Sequence, residues 1–223
     1  MIDKDTYLDI HKDFLTPLDI KIDIQKLNHT MQIYKFAFRR WGLKHTKYPR
    51  FGLPLVNANG EMFNNPEPVC FPIDEWYYLF NEYKEDAFYS TPTEVLDLDC
   101  FDVLDPIKTF MIRSCILQFN TNGHFKPHID TTLPSKIIRL WGTNDPKNLH
   151  LRFDKNRVRC NNNSEVKDLN LDLQTIDNVE AGRLYIIDTN IVHDAISYAD
   201  NTYQFFFALN EKSIDALKEL IHV

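Results

Sequence analysis

The half of the chain beyond Phe110 is a succession of short apolar segments broken by Gly, Asn and Pro, and this texture constrains the fold more than any other feature. The segments are too short for packed helices and rich in β-branched and aromatic residues. They predict strands over 110–119, 125–131, 137–143, 149–153, 183–188, 191–194 and 202–209. Short strands at close spacing with such turns form a sandwich or barrel. The polar run from Asn161 through Gln174 interrupts the series and reads as a loop insertion. The first hundred residues read differently. Ile24, Leu27, Met31, Tyr34, Phe38 and Trp41 recur at steps of three and four, predicting one amphipathic helix stopped by Gly42. Pro and Gly make 48–55 extended or looped, and 74–84 reads as a second short helix. A short amphipathic helix over 213–221 closes the chain. The expected organisation is one domain: residues 1–105 a mixed, largely helical support, 106–210 a β core, and 211–223 a terminal helix.

Composition excludes several classes. Of 223 residues, 43% are hydrophobic and 26% charged, as in ordinary soluble globular proteins. A net charge of −7, with Lys and Arg scattered, argues against a nucleic-acid-binding surface. A secretory leader and a long apolar span are both missing from the sequence, so neither secretion nor membrane insertion is expected. Cys70, Cys100, Cys115 and Cys160 lack paired metal-type spacing and read as free thiols of a cytoplasmic protein. The expected partner is a small-molecule or peptide substrate. Nothing in the sequence sets the oligomeric state.

Within the β half lies His128-Ile129-Asp130, with His193 farther on. On a strand, residues i and i+2 point to the same side. His128 and Asp130 can therefore grip one ion while Ile129 packs away; a helix would set them about 200° apart. Two imidazoles and one carboxylate on one face of an octahedral metal form the ligand set of non-haem Fe(II) oxygenases, leaving the opposite face for substrate and O2. Composition alone yields about one His-x-Asp by chance, so context decides. His11-Lys12-Asp13 repeats the pattern in a charged, helical N-terminal stretch and reads as a solvated face. His128 instead follows an apolar run and the turn Asn120-Thr121-Asn122-Gly123, and Pro127 bars a helix interior there.

Other residues join this constellation. Arg139 sits at the centre of Ile137-Ile138-Arg139-Leu140-Trp141, and a charge inside so apolar a strand is costly unless paired, which points to a bound anion, the alternatives being a solvent-facing side chain or a structural Asp partner. Its planar fork matches a carboxylate bidentately, such as the far carboxylate of 2-oxoglutarate. His124 is a candidate substrate contact at the mouth of the core or a solvated loop residue. Asp194 is a neighbour expected to point away from the metal. His150 and Arg152 share one strand face, lining the pocket or facing water.

In order and spacing, Gly123-His124-Phe125-Lys126-Pro127-His128-Ile129-Asp130, Ile138-Arg139-Leu140, Glu180-Ala181-Gly182-Arg183-Leu184-Tyr185-Ile186-Ile187-Asp188 and His193 resemble Fe(II)/2-oxoglutarate oxygenases. The likeness is greatest to the aspartyl/asparaginyl β-hydroxylase and cis-proline hydroxylase branch. It covers residues 110–210, with support from Arg50-Phe51-Gly52-Leu53-Pro54-Leu55. The resemblance implies a double-stranded β-helix (jelly-roll, cupin-like) core flanked by helices, with His128, Asp130 and His193 holding Fe(II) and Arg139 holding the cosubstrate. The implied reaction consumes O2 and 2-oxoglutarate, releases succinate and CO2, and hydroxylates an amino acid or peptide side chain. A Gly in place of Asp130 would leave a position suited to halide. The chain departs from the branch twice. Tyr203 stands where a second Arg is usual and Trp141 where a His is frequent, which makes both candidate cosubstrate contacts. These departures keep two alternatives open: a cupin-like module binding metal or a small ligand without redox catalysis, and a metal-free interaction domain.

Overall fold

The computed structural model describes residues 2–41, 50–63, 90–130, 137–160 and 162–222. Near the N-terminus, helix α1 (Lys4–Ile10) starts where Asp3 accepts a hydrogen bond from the Thr6 amide, and helix α2 (Ile24–Ile33) where Asp23 caps Gln25 and Lys26. Strands β1 (Leu15–Lys21), β2 (Arg39–Trp41), β3 (Arg50–Asn57) and β4 (Thr91–Pro92) belong to the same half. Among the described residues of this half, strands as well as helices are present, and these strands extend a sheet of the core.

The stripe from Ile24 to Trp41 does not form one helix. The α-helix ends at Ile33, a 3-10 turn spans Tyr34–Ala37, and Phe38 is extended at φ −61°, ψ 132°. Backbone pairing of Arg39 with Gly52 and of Trp41 with Arg50 replaces further helical turns. The expected stop at Gly42 and helix at 74–84 lie outside the described residues.

The core follows as β5 (Met111–Phe119), β6 (His124–His128), β7 (Ile137–Thr143), β8 (Leu149–Asp154), β9 (Leu173–Thr175), β10 (Arg183–Ile187), β11 (His193–Ser197) and β12 (Thr202–Asn210). Two antiparallel sheets result. The larger runs β1-β10-β7-β12-β5-β3-β2 with β4 on β3, and the smaller runs β6-β11-β8-β9. Among the described residues they are separate sheets, and no closed barrel is seen. The predicted strand over 191–194 begins later, at His193. The loop insertion carries one helical turn, Asn163–Val166, and ends in β9.

Turn chemistry and edge placement explain the strand ends. Asn122 takes a positive φ of 64° and the Gly123 amide donates to the Asn120 carbonyl. Gly182, at φ 84°, leads into β10; a Cβ there would lie 2.2 Å from the Ile22 carbonyl oxygen. Pro17 is tolerated because β1 is an edge strand.

Side-chain alternation divides the larger sheet into two faces. Leu140, Leu184, Ile186, Phe205 and Phe207 pack outward into a core shared with Tyr7, Leu27, Met31 and Leu217 of the helices. Trp141, Tyr185 and Ile187 point inward, against Leu151, Phe153 and Ala195 of the smaller sheet. Among the described residues no helix is long and apolar enough to cross a membrane.

Candidate metal centre

His128 ends β6 and His193 opens β11, and the two are register partners. Their ring centroids lie 4.5 Å apart. Asp130 follows one residue beyond the strand, its Oδ1 3.3 Å from His128 Nε2. Together, one ligand atom from each of the three lies within 4.8 Å of the others. Ligands at right angles, each about 2.1 Å from one ion, stand about 3 Å apart, so small shifts suffice to enclose a divalent cation. Among the described residues this is the cluster of three with metal-binding geometry.

Backbone carbonyls prepare both imidazoles. His128 Nδ1 lies 2.7 Å from the Lys126 carbonyl oxygen and His193 Nδ1 2.8 Å from that of Ile191. Each Nδ1–H thus donates to the chain two residues back, leaving Nε2 as the coordinating atom. Asn163 fixes the segment between the ligands. Its side chain accepts from the Ile129 amide at 2.8 Å and donates to the Ile129 carbonyl at 3.0 Å. Ile129 packs away from the site against Cys160, Val166 and Val192, as strand alternation predicts. The Asp130 amide donates to the Thr189 carbonyl. The adjacent Asp188 receives the Tyr7 hydroxyl at 3.0 Å and Arg159 at 2.8 Å, fastening α1 to the loop that precedes His193.

Electrostatics suit a cation. Burial, reinforced by the charge of His128, depresses His193 to about 4, so this imidazole is neutral. Burial also works against protonation of His128, but the hydrogen bond and charge of Asp130 outweigh it and raise its pKa. Burial pushes Asp130 upward, yet the His128 hydrogen bond and the charges of His128, His193 and Arg139 hold it well below the carboxylate range.

The triad faces a cavity of about 180 Å³ between the sheets. That is below the roughly 300–1,000 Å³ of drug-sized pockets, so the interior suits a small ligand. Arg139, 4% exposed, lines it as predicted, its guanidinium 4.8 Å from the Phe206 ring centroid. Trp141 lines it too. Tyr203 does not. It occupies the opposite face of β12, packed in the outer core with its ring 6.0 Å from that of Phe38. Its neighbour Gln204 faces the cavity instead, because alternate residues of a strand change sides. Gln204 Oε1 and Trp141 Nε1 are buried without a hydrogen-bond partner among the described residues.

His124 is also elsewhere. Its Nε2 lies 2.9 Å from Asp194, which Arg152 engages through Nε at 2.8 Å. Asp194 points away from the metal site, as expected for the neighbour of a ligand, and these contacts offset its burial and hold its pKa low. Arg152 belongs to this outward network, and His150 stacks edge-on against Tyr198. The remaining histidine expectation is overturned: His11 is 6% exposed rather than solvated, stacked on Tyr7 at 3.7 Å. Cys100, Cys115 and Cys160 are buried and form no disulfide among the described residues.

Arg113, Gln204 and Phe206 also line the cavity, and the motif reading passed over them. The signal for Arg113 was the one used for Arg139, a charge within an apolar strand. Gln204 is a lone amide beside Phe205-Phe206-Phe207.

Neither a family model nor a curated protein matches the chain. Solved structures show distant likeness. A 2OG-Fe(II) oxygenase family oxidoreductase from Burkholderia pseudomallei is 9% identical, with 82% of this chain and 78% of that one covered at a TM-score of 0.41. AviO1 from Streptomyces viridochromogenes Tue57 is 11% identical over 95% and 96% of the chains, TM-score 0.46. A Pseudomonas putida prolyl-4-hydroxylase is 8% identical over 92% and 96%, TM-score 0.44. Likenesses this distant carry no functional weight, and the chemistry of the site rests on its own geometry: a 2-His-1-carboxylate facial triad of the kind that holds catalytic iron.

Proposed function

We propose that this protein is an Fe(II)- and 2-oxoglutarate-dependent dioxygenase of double-stranded β-helix architecture, acting on an amino acid or peptide side chain. One unactivated C–H bond becomes C–OH while O2 and 2-oxoglutarate are converted to succinate and CO2. The observation that carries this reading is the convergence of His128, Asp130 and His193 on a small cavity that also contains Arg139. The alternation of β5, β6, β7, β8, β10, β11 and β12 between two antiparallel sheets, with β9 of the loop insertion set aside, supports the architecture.

Fe(II), when bound, supplies the redox chemistry and coordination positions for the oxo acid and O2. The chain's residues do the rest. His128 and His193 present Nε2, and Asp130 presents a carboxylate already ionised. Arg139 receives the far carboxylate of the cosubstrate. Phe125, Trp141, Leu151 and Phe206 line the cavity with apolar surface, which limits water around the reacting bond. We place the protein in the cytoplasm, without nucleic-acid or membrane partners.

Anaerobic titration with Fe(II) and 2-oxoglutarate tests the reading through the weak visible metal-to-ligand charge-transfer band, followed by succinate release with amino-acid and peptide panels. Metal binding with neither the band nor stabilisation by 2-oxoglutarate would favour a non-redox binding module. The neutral Gln204 on β12, the strand where the branch usually carries its second arginine, is the observation on that side.

A further inference from the structure

Two of the three ligands lean on one loop, the five residues Asp188 to Val192 between β10 and β11. The Thr189 carbonyl accepts from the Asp130 amide at 3.1 Å, and the Ile191 carbonyl from His193 Nδ1 at 2.8 Å. A shift of this loop therefore displaces a carboxylate and an imidazole together. What holds the loop lies outside the cavity. Asp188, 3% exposed, gathers three donors on its carboxylate: the Tyr7 hydroxyl at 3.0 Å, the Arg159 guanidinium at 2.8 Å and the Asn190 amide at 3.2 Å. Tyr7 belongs to α1, 181 positions away in the chain. The same N-terminal segment returns to the loop where the Phe14 carbonyl accepts from the Asp188 amide at 3.0 Å. His11 in turn fixes Tyr7, stacking on its ring at 3.7 Å and donating from Nδ1 to its carbonyl at 2.7 Å. The N-terminal copy of the His-x-Asp pattern thus packs where the second copy ligates, and its Asp13 pairs with Arg157.

We propose that Tyr7 and Asp188 are positioning residues for the metal centre, and that their contact couples docking of α1 to the affinity of the triad for its ion. This rests on the reading of His128, Asp130 and His193 as a metal centre. A phenol donating to a buried carboxylate forms a charge-assisted hydrogen bond, and its loss leaves that carboxylate short of a donor. Asp188 then holds the loop less firmly, and the Thr189 and Ile191 carbonyls no longer fix Asp130 and His193 in one arrangement. Ligands that must be ordered on binding hold metal more weakly than ligands already in place. The coupling runs in both directions by thermodynamic necessity. A docked α1 tightens the metal, and a bound metal holds α1 down by the same factor. The N-terminal helix, which contributes no ligand, becomes part of the site.

The test is Zn(II) affinity and amide hydrogen exchange on the full-length protein. Competition with a chromogenic chelator is expected to show Zn(II) weakened about fivefold by Tyr7→Phe and about twentyfold by Asp188→Asn, within the usual range of coupling between sites. The double variant is expected to lose no more than Asp188→Asn alone, because both changes act through one contact. Phe207→Leu, which costs stability in the outer core, is expected to leave Zn(II) affinity within about twofold, separating positioning from general destabilisation. In the reverse direction, one equivalent of Zn(II) is expected to slow exchange of the wild-type α1 amides by about fivefold or more, and by less in Tyr7→Phe. Zn(II) affinity preserved in both single variants, additive losses in the double variant, or α1 exchange indifferent to Zn(II) overturns the coupling while leaving the proposed function intact. Wild-type protein that takes up no Zn(II) overturns the metal centre and the coupling with it.

Discussion

His193 pairs with His128 across β11 and β6, and the pairing slips by one residue immediately afterwards, so that Ala195 stands opposite Phe125. That irregularity lets His128 and Phe125, three residues apart, both face the cavity, where an unbroken strand would turn one of them away. The metal site is thus a property of strand register. His193→Ala leaves His128 and Asp130 as a two-ligand site, and metal content after anaerobic reconstitution should fall from about one ion per chain to background. Retention of stoichiometric iron by this variant would refute the assignment.

Protonation should couple to metal binding through one imidazole. His193, depressed to about 4 by burial, is neutral at pH 7, and Asp130 is ionised. His128, raised above its ordinary value of 6.5 by the hydrogen bond and charge of Asp130, holds its proton to higher pH than a free imidazole, and the metal competes with that proton. Metal affinity should rise with pH through the neutral range with release of about one proton at most per ion. Calorimetry in buffers of different ionisation enthalpy measures this, and release of two protons at pH 7 would contradict it. In the metal-free protein the signs differ. His193 takes up a proton more readily when unfolded, so its contribution is lost as pH falls from 6.5 toward 4. That of His128 is present below 6.5 and lost as pH rises through its folded value.

Asn163 holds both backbone groups of Ile129, the residue between two ligands. Asn163→Ala removes this support without touching the metal. Metal affinity should fall roughly tenfold to a hundredfold, as for other groups that orient ligands. Equilibrium competition with a chromogenic chelator measures it. Asn163→Asp, which keeps an acceptor for the Ile129 amide, should fall between.

Asp194 is wholly buried and depends on Arg152 and His124 for compensation. Truncating Arg152 to Ala strands that carboxylate and should cost about 3 kcal/mol in urea unfolding. Pairing Arg152→Leu with Asp194→Leu should cost less than Arg152→Leu alone, because the buried charge leaves with its partner.

Tyr203 faces the outer core, so its hydroxyl has no route to the cavity. Tyr203→Phe should therefore leave 2-oxoglutarate affinity within about twofold of wild type, far less than the tenfold of a lost charge-assisted hydrogen bond. A larger drop in a titration would place the hydroxyl at the ligand after all.

Local rules made much of this legible in the sequence. Short apolar segments bounded by Gly, Asn and Pro turns located most core strands, and Pro127 with the i, i+2 spacing marked His128 and Asp130 as a same-side pair on an extended segment. The apolar setting of Arg139 marked it for the interior. Tertiary structure decided what depended on distant partners. It ended the Ile24 helix early, because Arg39–Trp41 found β3 to pair with. It placed Gln204 rather than Tyr203 toward the cavity and buried His11 against Tyr7. It brought Arg113 and Arg139, from the two strands that flank β12, near the Phe206 ring. Alternation says which residues share a face, but whether that face meets the other sheet or the helices is set by pairing between segments far apart in the chain, and shifting that pairing by one residue exchanges every side chain between them.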